Sequence, residues 1–484
     1  MYGAEPPQKL KIRDLQLLQQ CPAANGVRSA MPTSQLDRWT AVADAVGEWY
    51  RQTRGEEDIA DIEERNMSFL DPVQHQITRR LFVTYRQVMA KKEGDSVDSE
   101  SWYATVWDTG QNATLGAATQ WTITTDTGVE YIKLKTGRSS TSDAEVAVMI
   151  EGAEEESPGL IEVNAAAGTV ETLDLAEEEV SALVAELFAV AATSPKKRGT
   201  VPGLHCYVCP RPARCGQYPA LEPRLVGAES RAVLVSKKWL ASLGRCERQT
   251  AWARLYGIPT DEGEEDDGTA AEVGISFHNA AAAALVSEDP DETFAASVSA
   301  APGSEQSQLL QLWENLKTLA GSEPHPVTTI RDTEYGIGCT AHSPGPYIDS
   351  RGQEHPDKLV AVVMAGFADA VGREADGTPA VVEFRTGGGA ALPLEPELYA
   401  LGAHLLSGKT PVAVHTHKIG NPEELTCDRL LFDESRLEAA RETLTAAAGR
   451  IAKWHPTNSL SAPYTVGEWC TWCEFSNRCV EFRT

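Results

Sequence analysis

Residues 206–215 read CYVCPRPARC and residues 470–479 read CTWCEFSNRC. Cys206, Cys209 and Cys215 therefore repeat the spacing of Cys470, Cys473 and Cys479. Three thiols so close together call for a fourth donor from elsewhere in the chain, since thiolate sites are usually four-coordinate. Two further segments offer one each. LKIRDLQLLQQC places Leu15, Leu18 and Cys21 at spacings of three, and LVSKKWLASLGRC places Leu240, Leu243 and Cys246 the same way. Both read as short amphipathic helices ending at a cysteine. The order helix–Cys, long body, comb thus occurs twice, as expected of two copies of one domain. The predicted sites are Cys21/Cys206/Cys209/Cys215 and Cys246/Cys470/Cys473/Cys479, each tying a domain's first helix to its last segment. Four thiolates suit zinc or an iron–sulfur cluster, and spacing alone does not choose between them. Cys339 and Cys427, isolated in sequence, read as small core residues.

At 484 residues the chain exceeds what one hydrophobic core organises, so two or more domains are expected. The turn-rich stretch QYPALEPRLVGAES suggests domains at 1–222 and 223–484. No apolar run reaches the ~20 residues of a membrane span, and the first residues lack a basic-then-apolar signal. A cytoplasmic protein without a membrane partner is expected, where clustered thiols favour metal over disulfides. The net charge is −27, from 70 acidic and 43 basic residues, and Arg outnumbers Lys by nearly two to one. The runs EEDD and EGAEEE read as solvated loops. Acidity spread along the whole chain with little lysine suits a halophilic cytoplasm, where salt screens self-repulsion. Such screening leaves DNA binding open despite the charge.

A further match supports duplication. TDTGVEYIKLKTG (125–137) aligns without a gap on ADGTPAVVEFRTG (375–387) when Asp126 faces Asp376. Each is a turn, an alternating apolar strand, then Thr-Gly. The second copy carries the residues suited to chemistry. VGISFHNAAAAAL puts His278 on an apolar helix, and AVVMAGFADAV is a strand with Asp369 near its end. After the turn at READGT, AVVEFRTG presents Glu383 and, on the same face, Arg385. Carboxylates on adjacent hairpin strands can converge on one hard cation, Mg²⁺ or Mn²⁺. Such an ion polarises a phosphodiester and activates water, and a cation beside Glu383 would stabilise developing charge. EPELYALGAHLL begins a helix with Pro396 in its first turn and sets Glu395 and Tyr399 on one face. Taken singly, each has a plainer role: a core histidine, a turn aspartate, a core tyrosine.

In order, His278, G-x-x-D ending at Asp369, the strand Glu383–Phe384–Arg385 followed by Thr-Gly, and a helix with Tyr399 resemble the RecB-type branch of the PD-(D/E)xK nucleases. Cys246 ahead of the histidine and the terminal comb resemble its iron–sulfur subgroup, which includes AddB-type nuclease domains and exonucleases associated with CRISPR adaptation. The resemblance covers residues 230–484 well and 8–220 weakly. It implies an α/β fold of two tandem PD-(D/E)xK-like domains, each a mixed central sheet flanked by helices and stapled by a four-cysteine site. It further implies His278, Asp369 and Glu383 as ligands of Mg or Mn, and Cys246, Cys470, Cys473 and Cys479 as ligands of a 4Fe-4S cluster. A second cluster would belong to the first copy. Tyr399 would contact DNA or support the site.

Two departures stand out. Arg385 replaces the lysine of the motif, and Glu395 the glutamine of its helix. Arginine keeps the charge but does not readily exchange a proton. In the first copy the alignment sets Thr119 against Asp369, Lys133 against Glu383, Lys135 against Arg385 and Met149 against Tyr399, so that copy should be inactive. The leading expectation is a metal-dependent DNA nuclease, exonucleolytic, in repair, recombination or mobile-element defence. Its alternative is a catalytically inactive iron–sulfur DNA-binding or scaffold subunit, and a third reading is a zinc-stapled interaction protein. No G-x-x-x-x-G-K-[ST] pattern occurs, so any helicase partner must be another chain.

Overall fold

Alternating β-branched residues and capped apolar helices give this chain a mixed α/β architecture. The computed structural model describes residues 8–21, 33–51, 59–89, 96–98, 101–125, 128–137, 140–153, 159–192, 206, 209, 212–258, 269–321, 327–349, 351–387 and 392–479. Asp126, used above to align the two strands, lies outside them. The chain divides into two units: residues 1–201 with 256–259 and 457–460, and residues 202–255, 260–456 and 461–484. The division expected at 222/223 thus falls inside the second unit. Cys206, Cys209 and Cys215 belong to that unit, and Cys21 to the first. Among the described residues no helix is long and apolar enough to cross a membrane.

The first unit runs β1 (Gln8–Lys11), α1 (Ile12–Gln20), α2 (Thr33–Arg51), α3 (Ile59–Met67), α4 (Pro72–Met89), β2 (Ser96–Asp98), β3 (Tyr103–Asp108), β4 (Ala113–Ala118), β5 (Trp121–Thr125), β6 (Gly128–Lys135), α5 (Asp143–Glu151), β7 (Gly159–Asn164), β8 (Thr169–Leu173) and α6 (Glu177–Ala192). Its sheets are β1-β4-β3 and β2-β5-β6-β7-β8. β1 lies parallel to β4, β6 parallel to β7, and the remaining pairs are antiparallel.

The second unit runs β9 (Arg231–Ser236), α7 (Lys237–Ser242), α8 (Glu247–Arg254), α9 (Thr269–Leu285), α10 (Pro290–Ala300), α11 (Gly303–Gly321), β10 (Val327–Ile348), β11 (Glu354–Glu374), β12 (Pro379–Arg385), α12 (Glu395–Ser407), β13 (Val412–Lys418), β14 (Thr426–Phe432) and α13 (Glu434–Ala452). Its sheet is ordered β10-β11-β12-β13-β14, with β9 parallel to the early part of β11. Along that path the pairs are antiparallel, antiparallel, parallel, antiparallel. This is the sequence of pairings in the first unit's larger sheet. There β3–β4 and β2–β5 make in two pieces the hairpin that β10–β11 makes in one. YIKLKTG and VVEFRTG fall on β6 and β12, the strands at corresponding places.

Both faces of the second sheet are covered, which is why Val381, Val382, Glu383 and Phe384 are all buried. On one face α9, α10 and α11 pack through Phe277, Phe294 and Trp313 against Val382 and Phe384. Phe294 and Trp313 stack with centroids 4.4 Å apart. Burying each such ring contributes roughly 1.5–3 kcal/mol, so this cluster fixes α9 against the sheet. On the other face α12 approaches β10 closely at Gly402. A Cβ there would come within 2.8 Å of the Gly338 nitrogen, so only glycine lets the helix lie this close.

Candidate active site

The site forms where β11 and β12 part. The last paired rung of that hairpin is Ala370 with Val382. Asp369 and Glu383 occupy the next position, at the fork, although β11 itself continues to Glu374. One Asp369 oxygen accepts a short hydrogen bond from the Phe384 N–H. The other lies 2.7 Å from His278 Nδ1. His278 is carried by α9 next to Phe277, which is fully buried against Phe294 and Phe384. Side chains alternate along a strand, so anchoring Phe384 in that core turns Glu383 and Arg385 to the opposite side.

Glu334, which the sequence reading did not single out, stands opposite Asp369 on β10. The register runs Thr333–Ala370 and then Tyr335–Ala368, skipping it. Its φ of 46° is left-handed, a conformation that costs a residue with a side chain on the order of 1–3 kcal/mol. His278, Glu334 and Asp369 each offer a ligand atom, and these atoms all lie within 4.8 Å of one another. One imidazole nitrogen and two carboxylates suit a small divalent cation such as Mn²⁺ or Mg²⁺. The expected set contained Glu383 where this cluster contains Glu334.

Glu383 keeps different company. Lys237, the first residue of α7, reaches it in a short ion pair. The same ammonium donates to Tyr399 Oη at 2.8 Å and to the Phe367 carbonyl at 3.2 Å, and lies 3.1 Å from Glu395. Tyr399 Oη is 2.7 Å from that carbonyl and 3.0 Å from the second Glu383 oxygen. Arg385 spans Glu383, at 3.2 Å, and Glu395, which it holds in a short contact. Gly366, the glycine of G-x-x-D, makes this possible. A Cβ there would meet Tyr399 at 2.9 and 3.1 Å and Lys237 Cδ at 3.2 Å. Lys237 left little trace in the sequence, because its contribution comes from a helix start remote from the strand motif.

Burial and the neighbouring Asp369 push the Glu383 carboxyl up to about 8, against the pull of Lys237. Burial alone would push the Lys237 ammonium down, but Glu383, Glu395 and Asp369 outweigh it and hold it above the ordinary lysine value. Its charge therefore does not hinge on the state of Glu383 alone. Burial likewise works against the charge of His278, and Asp369 overcomes it, raising the imidazole. Glu334 is raised by loss of water and by Asp369. Glu383 and Glu334 are thus both raised, by loss of water first and by Asp369 next.

Compared with known proteins, residues 235–480 match a family model for the PD-(D/E)XK nuclease superfamily. The chain belongs to that superfamily. No curated protein matches. Among solved structures, "Crystal structure of SSO0001" is 14% identical over 52% of this chain and 87% of its own, with a TM-score of 0.21, too low to carry an argument. The matched residues include the whole group described above, from Lys237 to Tyr399, together with the terminal comb.

In that comb, Phe475 is buried and packs against Trp239 and Trp252 of the first helices of the second unit. Burial raises the Cys473 thiol to about 11, and the neighbouring Cys246, Cys470 and Cys479 thiols push it the same way. Cys246 follows α7 after a short turn and caps α8, rather than ending the first helix as expected. Cys21 does end α1. Cys339 is fully buried and its thiol is raised to about 12, as suits a core residue.

Among the described residues of the first unit, the positions of Asp369 and Glu383 are taken by Gln120 and Lys133. The residue bonded as Asp369 is bonded is Gln120, whose Oε1 accepts the Leu134 N–H at 2.5 Å. Thr119, aligned above, is one residue off, because the β5–β6 hairpin is one residue shorter than β11–β12. Lys133, on the strand where Glu383 would stand, donates to the Ala118 carbonyl at 2.7 Å and to Glu145 at 2.5 Å. Lys135 is lowered by burial, against the pull of Glu145 and Glu162. Met149 is buried in the core.

Proposed function

We propose that the second unit cuts DNA phosphodiesters with Mg²⁺ or Mn²⁺, as an exonuclease of the RecB type in repair, recombination or mobile-element defence. The observation that carries this reading is the gathering of His278, Glu334 and Asp369 within ligand distance beside Glu383 and the buried Lys237. The fit is chemical: hard oxygens dominate the donor set, and Glu383 is held with a raised affinity for positive charge. When bound there, the ion would polarise the phosphodiester and lower the pKa of the attacking water. The remaining work falls to side chains. Asp369 is oriented from behind by the Phe384 amide and keeps one oxygen toward the ligand cluster. Lys237 presents a fixed positive charge beside Glu383, the service that the family motif assigns to the position of Arg385. Arg385 ties Glu383 to Glu395 and so holds the β12 carboxylate toward the fork. Tyr399 and Gly366 fix where the ammonium lies.

Cys246, Cys470, Cys473 and Cys479 would hold a 4Fe-4S cluster, with zinc as the alternative; the mutual influence of their thiols supports one shared site. The first unit would be an inactive copy. Its repeated pairing order, and the matching descent from β1 through α1 to Cys21 and from β9 through α7 to Cys246, support duplication. A second reading, an inactive DNA-binding scaffold serving a helicase or defence subunit, draws on Arg385 in the lysine position. The two separate in one assay. End-labelled DNA is incubated with the whole chain in molar KCl, with Mn²⁺ or with EDTA. The nuclease reading predicts end-directed loss of label that requires Mn²⁺ and disappears in Asp369→Asn. DNA binding without any cleavage would favour the scaffold.

A further inference from the structure

β13 and β14 carry a second group of ligands. In VAVHTHK, His415 and His417 alternate onto one face of β13, and Cys427 on β14 is the direct partner of His417. Ligand atoms of the three all lie within 4.8 Å of one another. Cys427 Sγ is 3.8 Å from His415 Nδ1. A tetrahedral zinc bonded at about 2.3 Å to sulfur and 2.0–2.1 Å to nitrogen would hold such atoms about 3.6 Å apart. The pair is therefore already spaced as two ligands of one ion.

The surroundings prepare His415 for that role. Its Nε2 lies 2.9 Å from Glu374 Oε1, and Arg429 grips both oxygens of Glu374 at 2.7 Å. A carboxylate held this way takes the Nε2–H, which leaves the Nδ1 lone pair aimed at Cys427. Metal-binding histidines are commonly oriented by such an outer carboxylate. His415 and His417 are buried, and Cys427 is half-buried, so the group is open to solvent on the cysteine side.

We propose that His415, His417 and Cys427 form a binding site for a tetrahedral divalent transition metal, zinc foremost, with water completing the coordination. The site differs in class from the carboxylate cluster. One thiolate and two imidazoles select a softer ion than Mg²⁺ and would discriminate against it. Thr416, between the two histidines, is the in-register neighbour of Glu383 across β12–β13, so the histidines lie on the opposite side of the sheet from Glu383. The ion would pin β14, the outermost strand, to β13. Its presence does not depend on whether the carboxylate site cuts DNA.

The test uses the full chain and peptide mapping, so that other cysteines do not confuse the signal. The chelator-treated protein is labelled with a maleimide in the presence and absence of Zn²⁺ in molar excess over all the cysteine sites, and the labelling rate of Cys427 is read by mass spectrometry. Bound zinc should slow labelling of Cys427 at least tenfold, and His417→Gln should abolish that protection. Buried Cys339 serves as the internal control for folding. Equal Cys427 rates with and without Zn²⁺ in the wild-type chain would overturn the site. Protection that survives in both His415→Gln and His417→Gln would overturn the ligand set. Mg²⁺ at the same concentration should give no protection, and protection by Mg²⁺ would refute the class of ion.

Discussion

Replacing Glu383 by glutamine should change how stability depends on pH in the metal-free protein. The carboxyl is almost fully buried and its pKa is raised to about 8 from its ordinary value of 4.5. A raised acid binds its proton more tightly when folded. Its contribution is therefore intact below the unfolded value and is lost as pH climbs toward the folded value. Each unit corresponds to about 1.36 kcal/mol, so raising the pH from 5.5 to 8 removes about 3 kcal/mol. With roughly 2–4 °C of melting temperature per kcal/mol for a unit of this size, the loss approaches ten degrees. Glutamine cannot ionise and should flatten that slope. Melting curves of EDTA-treated wild type and Glu383→Gln at pH 5.5 and 8 measure it. Adding Mn²⁺ at pH 8 should restore the wild type, because a cation favours the ionised carboxylate. Parallel pH dependence in the two proteins would refute the reasoning.

Other outcomes follow from the same contacts. Lys237→Met should lower cleavage by roughly 10²–10³-fold, the usual cost of losing one preorganised charge donor. Arg385→Lys should change the rate far less, and single-turnover kinetics compare the two directly. Gly366→Ala should cost about 1–3 kcal/mol and impair cleavage, since its methyl collides with Tyr399 and Lys237; a melting curve and a rate test this together. Lys135→Ala should leave cleavage within a few-fold of wild type, because Gln120 and Lys133 stand in the first unit where Asp369 and Glu383 stand in the second.

Much of the site was legible because strands alternate. Glu383 and Arg385 could be set on one face, and Phe384 on the other, from the pattern alone. Asp369 was legible through its spacing from Gly366, although the reason for that glycine is the room it leaves for Tyr399 and Lys237. Lys237 and Glu334 were not legible. Lys237 reaches the fork from the start of α7, a long way back in sequence, and a charged residue opening a helix reads as solvated. Glu334 is an exposed residue that comes beside Asp369 where its backbone turns left-handed inside a long strand, which no residue pattern signals. The Thr119 assignment failed by one position because a gapless alignment cannot register a hairpin that is one residue shorter. Cys427 reads as an ordinary core thiol because the histidines beside it sit on the neighbouring strand, visible only once β13 and β14 pair.

The central proposal, that the fork of β11 and β12 cuts DNA, is tested most directly by Glu383→Ala. Cleavage of end-labelled DNA in Mn²⁺ is measured under single-turnover conditions, alongside DNA binding in Ca²⁺. We expect the rate to fall at least a hundredfold while binding persists, because His278, Glu334 and Asp369 without the Glu383 carboxylate beside them cannot orient a cation and a phosphodiester together. A Glu383→Ala protein that cuts DNA as fast as the wild type would contradict the account.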